Sequence, residues 1–186
     1  VPNMPQTCPE HAQTGFGFKG DQPCEYYRLF EGMREHGLMN SMETVYLDTE
    51  TTGVSDDDEM VELTIIEDDG KSLIDTLIKP KYHTSWPGAQ RVHGISPIDV
   101  RHAPTQDRIS NEIREVVKGK RVVIYNAPFD SKFLPELEDA AEITCAMREF
   151  AKWNESRWKS LTNATKIIGY EWEGAHRALA DTLALR

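Results

Sequence analysis

Thr44-Val45-Tyr46-Leu47-Asp48-Thr49-Glu50-Thr51-Thr52-Gly53 is the stretch on which the reading of this chain turns. Its first four residues are β-branched, aromatic or aliphatic, the composition of an extended strand, and Gly53 ends it in a turn. Side chains alternate across a strand, so Asp48 and Glu50 project from the same side. Two carboxylates on one face at a strand end can share divalent cations, because hard ions such as Mg²⁺ take oxygen ligands. Asp-x-Glu alone equally describes a polar strand end running into a turn. The apolar lead-in and the Thr-Thr-Gly that follows favour the first reading.

Downstream, Met60 to Ile66 and Ser72 to Ile78 are further apolar runs bounded by Gly, Asp or Pro, with Asp68-Asp69-Gly70 as a hairpin turn between them. Together with Thr44 to Asp48 they predict three consecutive antiparallel strands. After Pro80 the chain reads as loop-rich, with Val92-His93-Gly94-Ile95 inside it, up to a helix from Thr105 to about Lys118. There Ile109, Ile113 and Val116 or Val117 recur at helical spacing, and Gly119 stops it. Arg121 to Tyr125 is β-branched and too short for a helix, so it predicts a buried strand leading into a helix near Pro128. Short helices are expected around Met147 to Trp153 and Ser160 to Ile168, and a last one from near Ala175. The result is an α/β layer architecture, a mixed sheet of three antiparallel strands plus parallel strands, flanked by helices.

Residues 1–41 differ in texture, with Pro2, Pro5, Pro9 and Pro23 among polar residues and a helical pattern from Glu25 to His36 stopped by Gly37. They read as an appendage to a domain over residues 42–186. Cys8 and His11, with Cys24 and His36, offer four ligands of the type that holds Zn²⁺, although the second half lacks a close pair. A flexible arm without metal is the alternative, as is a helix packed through Tyr27, Phe30 and Met33.

Composition bounds the rest. With 186 residues, 39% of them hydrophobic and 28% charged, the chain is long enough to bury one core. Three scattered cysteines, Cys8, Cys24 and Cys145, do not form a secreted disulfide framework. No run approaches a membrane span and no signal-peptide pattern opens the sequence, so a cytoplasmic protein without membrane association is expected. A formal charge of −10 argues against non-specific binding to phosphate backbones. It does not exclude catalysis on nucleic acid, because cations bound by carboxylates reverse the local field.

Two more stretches carry chemistry. In Tyr125-Asn126-Ala127-Pro128-Phe129-Asp130 strand gives way to helix; Asn126 is placed to satisfy free backbone N–H groups, and Asp130 falls in the first turn. A carboxylate there is also stabilised by the helix dipole, a purely structural role. In His176-Arg177-Ala178-Leu179-Ala180-Asp181, positions five apart lie roughly 140° apart around a helix. His176 and Asp181 therefore converge only if His176 precedes the helix, which Gly174 supports. Four carboxylates and one His in this order suit phosphodiester hydrolysis with two divalent cations, Mg²⁺ or Mn²⁺, the His taking the proton of the attacking water.

The three motifs in this order resemble those of the DEDDh 3′-to-5′ exonucleases of the RNase H-like superfamily, over about residues 43 to 186. The exonuclease X branch and the proofreading subunit of bacterial replicative polymerase look most similar. The resemblance implies an RNase H-like sheet, with Asp48, Glu50, Asp130 and Asp181 as metal ligands and His176 as general base. It further implies that Thr51, Thr52, Gly53, His93, Asn126 and Phe129 lie against the substrate. Leu134-Pro135-Glu136 and Ile143-Thr144-Cys145-Ala146-Met147 look most like exonuclease X, which tilts the expected substrate toward a single-stranded 3′ end of DNA, releasing nucleoside 5′-monophosphates. An exoribonuclease of the RNase T or oligoribonuclease kind keeps the same site, and an inactive module that binds nucleic acid or a polymerase partner is the reading from another class. Tyr125 departs from the family, many of whose members have His there.

Overall fold

The computed structural model describes residues 42–186. The helix expected over Glu25 to His36 and the zinc candidates Cys8, His11, Cys24 and His36 lie outside the described residues.

Five strands form one sheet: β1 (Thr44–Thr51), β2 (Met60–Glu67), β3 (Ser72–Leu77), β4 (Arg121–Ile124) and β5 (Glu142–Cys145). Their order is β3-β2-β1-β4-β5, so the strand carrying Asp48 and Glu50 is central. β1 to β3 pair antiparallel, whereas β4 and β5 run parallel to β1. The predicted hairpin forms at Asp68 to Gly70, where Gly70 takes φ +86° and its N–H donates to the Glu67 carbonyl. A side chain at that φ is disfavoured, so glycine suits the turn.

Burial explains why these strands assemble. Along β1, Val45, Leu47, Thr49 and Thr51 are buried while the residues between them are half-buried. β2 is buried from Met60 to Ile66, as expected of a strand covered on both faces. Leu47, Leu63, Ile65, Ile113, Val117, Val122 and Ile124 meet in one core with no exposed surface. Replacing Ile65 by Ala should lower the unfolding free energy by about 2–5 kcal/mol, read as a reduced urea midpoint at unchanged slope.

The helices are α1 (Pro87–His93), α2 (Gln106–Val117), α3 (Ala127–Asp130), α4 (Ala146–Trp153), α5 (Leu161–Ile168) and α6 (Ala178–Leu185), with a 3-10 turn at Pro135–Asp139. α2 forms where the apolar spacing predicts it, and α6 packs over β1 and β2. Among the described residues no helix is long and apolar enough to cross a membrane.

The structure corrects the sequence in four places. The stretch after Pro80 contains α1, begun by Pro87 and closed by Gly94 at φ +78°. Its signal was hidden because a small second core of Val61, Trp86, Ile95 and Val100 around it stabilises so short a helix, rather than any apolar period of its own. β5 was also missed, being a four-residue edge strand whose first two residues are exposed. Asn126 precedes α3 without a side-chain capping bond; its carbonyl, not its amide, serves the turn by accepting the Phe129 N–H at 2.8 Å. The last helix begins at Ala178 rather than near Ala175, because Gly174 and His176 take positive φ.

Candidate active site

β1 supplies the first carboxylates. Its alternation sends Val45, Leu47, Thr49 and Thr51 inward and leaves Asp48 and Glu50 together on the other face, as the sequence predicts. At this end the ladder is irregular: Glu50 pairs with Glu62 but Thr51 pairs with Met60, so β2 spends one extra residue. A bulge of this kind twists the strand and re-aims the side chains beyond it.

Asp181 comes from α6. The chain turns through Gly174 at φ +84° and His176 at φ +67°, Arg177 is extended, and the helix then starts at Ala178. His176 therefore precedes the helix, which removes the angular conflict, and its backbone N–H donates to Asp181 Oδ1 at 3.1 Å. Oxygens of Asp48, Glu50 and Asp181 lie within 4.8 Å of one another, a grouping able to hold a cation.

Asp130 ends the single turn of α3 and is buried. Its Oδ1 accepts the hydroxyl proton of Thr49 at 2.8 Å. It stands outside the group of three mutually close carboxylates, yet among the neighbouring charges it is the foremost one raising the pKa of Asp48.

The remaining predicted residues are engaged with the protein itself. Thr51 donates its hydroxyl to the Gly53 carbonyl at 2.6 Å. Thr52 donates to Asp58 Oδ1 at 2.7 Å and accepts the Glu59 N–H at 3.0 Å. A Cβ on Gly53 would sit 2.5 Å from Asp58 Oδ2, so the close approach of this loop requires glycine. His93 is buried, its Nε2 3.1 Å from the Thr51 carbonyl and its Nδ1 accepting the Ile95 N–H at 3.0 Å. The partners assign the proton to Nε2, and the ring braces the backbone just past Glu50. Phe129 is half-buried, edge-on to Phe133 with centroids 5.3 Å apart, and Asn126 is exposed.

Sequence reasoning missed two residues beside this cluster. Thr49 shows no motif, because only the fold reveals that it meets Asp130. Glu62 did leave a signal, a charge inside the otherwise apolar Met60 to Ile66 run, and it lies directly opposite Glu50.

Crowding shapes the electrostatics. Desolvation, then the charges of Asp130, Asp181, Glu50 and Glu62, hold Asp48 well above the usual carboxylate range. Desolvation and Asp181 push Glu50 up to about 8. Asp130 and Asp181 rise to about 6 through desolvation, opposed by the Thr49 hydroxyl and the His176 amide respectively. Without cations the folded protein thus holds protons that the unfolded chain releases, so this cluster's stabilisation is complete below the ordinary carboxylate pKa and is lost as pH rises to about 8. The melting temperature in chelator should fall from about pH 5 to about pH 8, and added Mg²⁺ or Mn²⁺ should restore more of it at the higher pH. A cation effect that is larger at the acid end would contradict this account of the cluster.

A mixed sheet whose central strand ends in clustered carboxylates, completed by a helix laid across it, is an arrangement able to hold a cation, as hydrolases of the nuclease class do. The sequence matches the exonuclease (RNase T) family over residues 45–185, and the chain belongs to that family, as a 3′-to-5′ exonuclease of the DEDDh type with an RNase H-like fold. It is 32% identical over 158 residues to the uncharacterized exonuclease CP81 of Escherichia phage 186, covering 74% of this chain and 81% of the phage protein. It is 34% identical over 102 residues to the DNA polymerase III subunit epsilon of Rickettsia felis, a match of 52% of this chain and 44% of that subunit, so the chain spans less than half of the relative's length. The fold superposes on exonuclease X in complex with 5′ overhanging duplex DNA with a TM-score of 0.63 at 23% identity, covering 76% of this chain and 85% of the other.

Proposed function

We propose that this chain removes nucleotides from the single-stranded 3′ end of DNA, releasing nucleoside 5′-monophosphates, with two divalent cations, Mg²⁺ or Mn²⁺, held by Asp48, Glu50, Asp130 and Asp181. The observation that carries the proposal is the convergence of Asp48, Glu50 and Asp181 within 4.8 Å at the end of the central strand. Oxygen donors whose pKa values are raised first by burial and then by one another's charge fit a hard divalent cation, whose charge favours their ionised form. When bound, such cations supply Lewis acidity and charge neutralisation for attack on a phosphodiester.

The chain's own residues supply the rest. His176, exposed and tethered through its backbone to Asp181, accepts the proton of the attacking water at an imidazole nitrogen. Thr51, Thr52 and Gly53 form a loop rigidified by Asp58 and His93, against which the terminal sugar and base rest. Asn126 and Phe129 lie on the turn that leads into Asp130, where they meet the same nucleotide. The family resemblance of the motifs supports these substrate roles, and the DNA-bound state of exonuclease X supports DNA over RNA. A polymerase partner is consistent with the likeness to the epsilon subunit.

The test is digestion of 5′-labelled DNA and RNA oligonucleotides of one sequence with Mg²⁺, Mn²⁺ or EDTA. A ladder shortening from the 3′ end of DNA, present with either cation and absent with EDTA, is expected. Faster shortening of RNA would replace the substrate assignment, and degradation in EDTA would remove the metal mechanism.

A further inference from the structure

Glu62 has no part in the three motifs, yet it is 4% exposed near the start of β2, a costly place for a carboxylate. Its partners explain it. Arg177 Nη2 donates to Oε1 at 2.5 Å, and Arg177 Nε lies 3.2 Å from both oxygens. The Ala178 N–H donates to Oε2 at 2.9 Å. Ala178 is the first residue of α6, whose own cap residue, Arg177, offers no side-chain cap. A helix leaves its first N–H groups without internal partners, and here β2 supplies one acceptor from across the fold.

The grip falls on both sides of one peptide, with His176 immediately before it. His176 stands at φ +67°, a region that non-glycine residues avoid and that persists only where the surroundings hold it. Asp181 holds the His176 amide from one side. Glu62 holds Arg177 and Ala178 from the other, while lying opposite Glu50 in the ladder. One carboxylate thus ties the sheet position of the first motif to the loop and helix of the third.

We propose that Glu62 and Arg177 form a clamp that sets His176 and Asp181 in place against Asp48 and Glu50, Glu62 and Arg177 acting as positioning residues. This rests on the functional reading above for its kinetic consequence but not for its structural one. A charge-assisted, two-pronged guanidinium–carboxylate contact fixes orientation in a way that a lysine cannot reproduce. The clamp therefore acts on turnover more than on substrate binding.

Arg177→Ala is the main test, because its side chain is 53% exposed and its loss leaves the strands intact; Glu62→Ala, Glu62→Gln and Arg177→Lys accompany it. Hydrogen exchange in the full chain should accelerate at least about tenfold over residues 175–182 in Arg177→Ala while β1, β2 and β4 keep their protection. In digestion of a single-stranded DNA oligonucleotide with Mg²⁺, kcat should fall about 10- to 100-fold with KM within about threefold, the usual scale for groups supporting a metal site. Arg177→Lys and Glu62→Gln should recover only part of it. In a His176→Ala background the further loss from Arg177→Ala should be at least about threefold smaller than in the wild type, because the part of the clamp that acts through His176 is gone and only its action through Asp181 remains. Unchanged exchange over 175–182 overturns the clamp whatever the activity; altered exchange with an undiminished kcat loss in the His176→Ala background overturns its action through His176. A wild-type chain that digests nothing refutes the functional reading alone, and the exchange result still decides the clamp.

Discussion

Asp48→Asn should reduce nucleotide release by at least about 10³-fold, because a cation that has lost this ligand forfeits much of the several kcal/mol it contributes, and each 1.36 kcal/mol is tenfold in rate. The same substitution should raise the melting temperature of the cation-free protein at about pH 8. Wild-type Asp48 is desolvated and faces four other carboxylates, Asp130, Asp181, Glu50 and Glu62, whereas Asn carries no charge to repel. Activity lost while cation-free stability is gained separates removal of a ligand from damage to the fold. Digestion at more than a tenth of the wild-type rate would place the cation elsewhere.

His176→Ala should lower kcat by about 10²- to 10⁴-fold, the contribution of a general base, with cation binding by calorimetry little changed because every carboxylate remains. His176→Gly should be as inactive but more stable than the Ala variant by about 1 kcal/mol, since only glycine takes φ +67° without strain. The pair therefore separates chemistry from conformation at one position. If either variant retains near-normal kcat, the proton is taken by another group.

The elements legible in the sequence were those whose local pattern and burial agree. β1 alternates because one face is buried, β2 is mostly apolar because both are, Glu62 and Thr64 apart, and α2 repeats Ile109, Ile113 and Val117 along its buried stripe. α1 and β5 were not legible, since seven and four residues carry too little pattern and are held by neighbours distant in sequence. The same divide runs through the site. His176 precedes the last helix, as angular geometry requires if it is to converge with Asp181 and as Gly174 supported, although the helix itself was expected from near Ala175. By contrast, the Val92 to Ile95 loop with its His turned out to be the end of α1, with both nitrogens of His93 committed to backbone groups.

The opening decade, Thr44 to Gly53, by itself determined a strand with two carboxylates on one face, because alternation is a property of any extended chain. The order of the later motifs and the side chains they offer were likewise legible from residue identity. Only the tertiary structure decided that β4 and β5 run parallel to β1, that Asp181 crosses from α6 to join Asp48 and Glu50, and that Asp130 is held by Thr49 eighty-one residues away. Those contacts join segments far apart in the chain, and so do the pKa shifts. A carboxylate's charge is set by how much water and how many like charges surround it in the folded molecule, which no local spacing encodes.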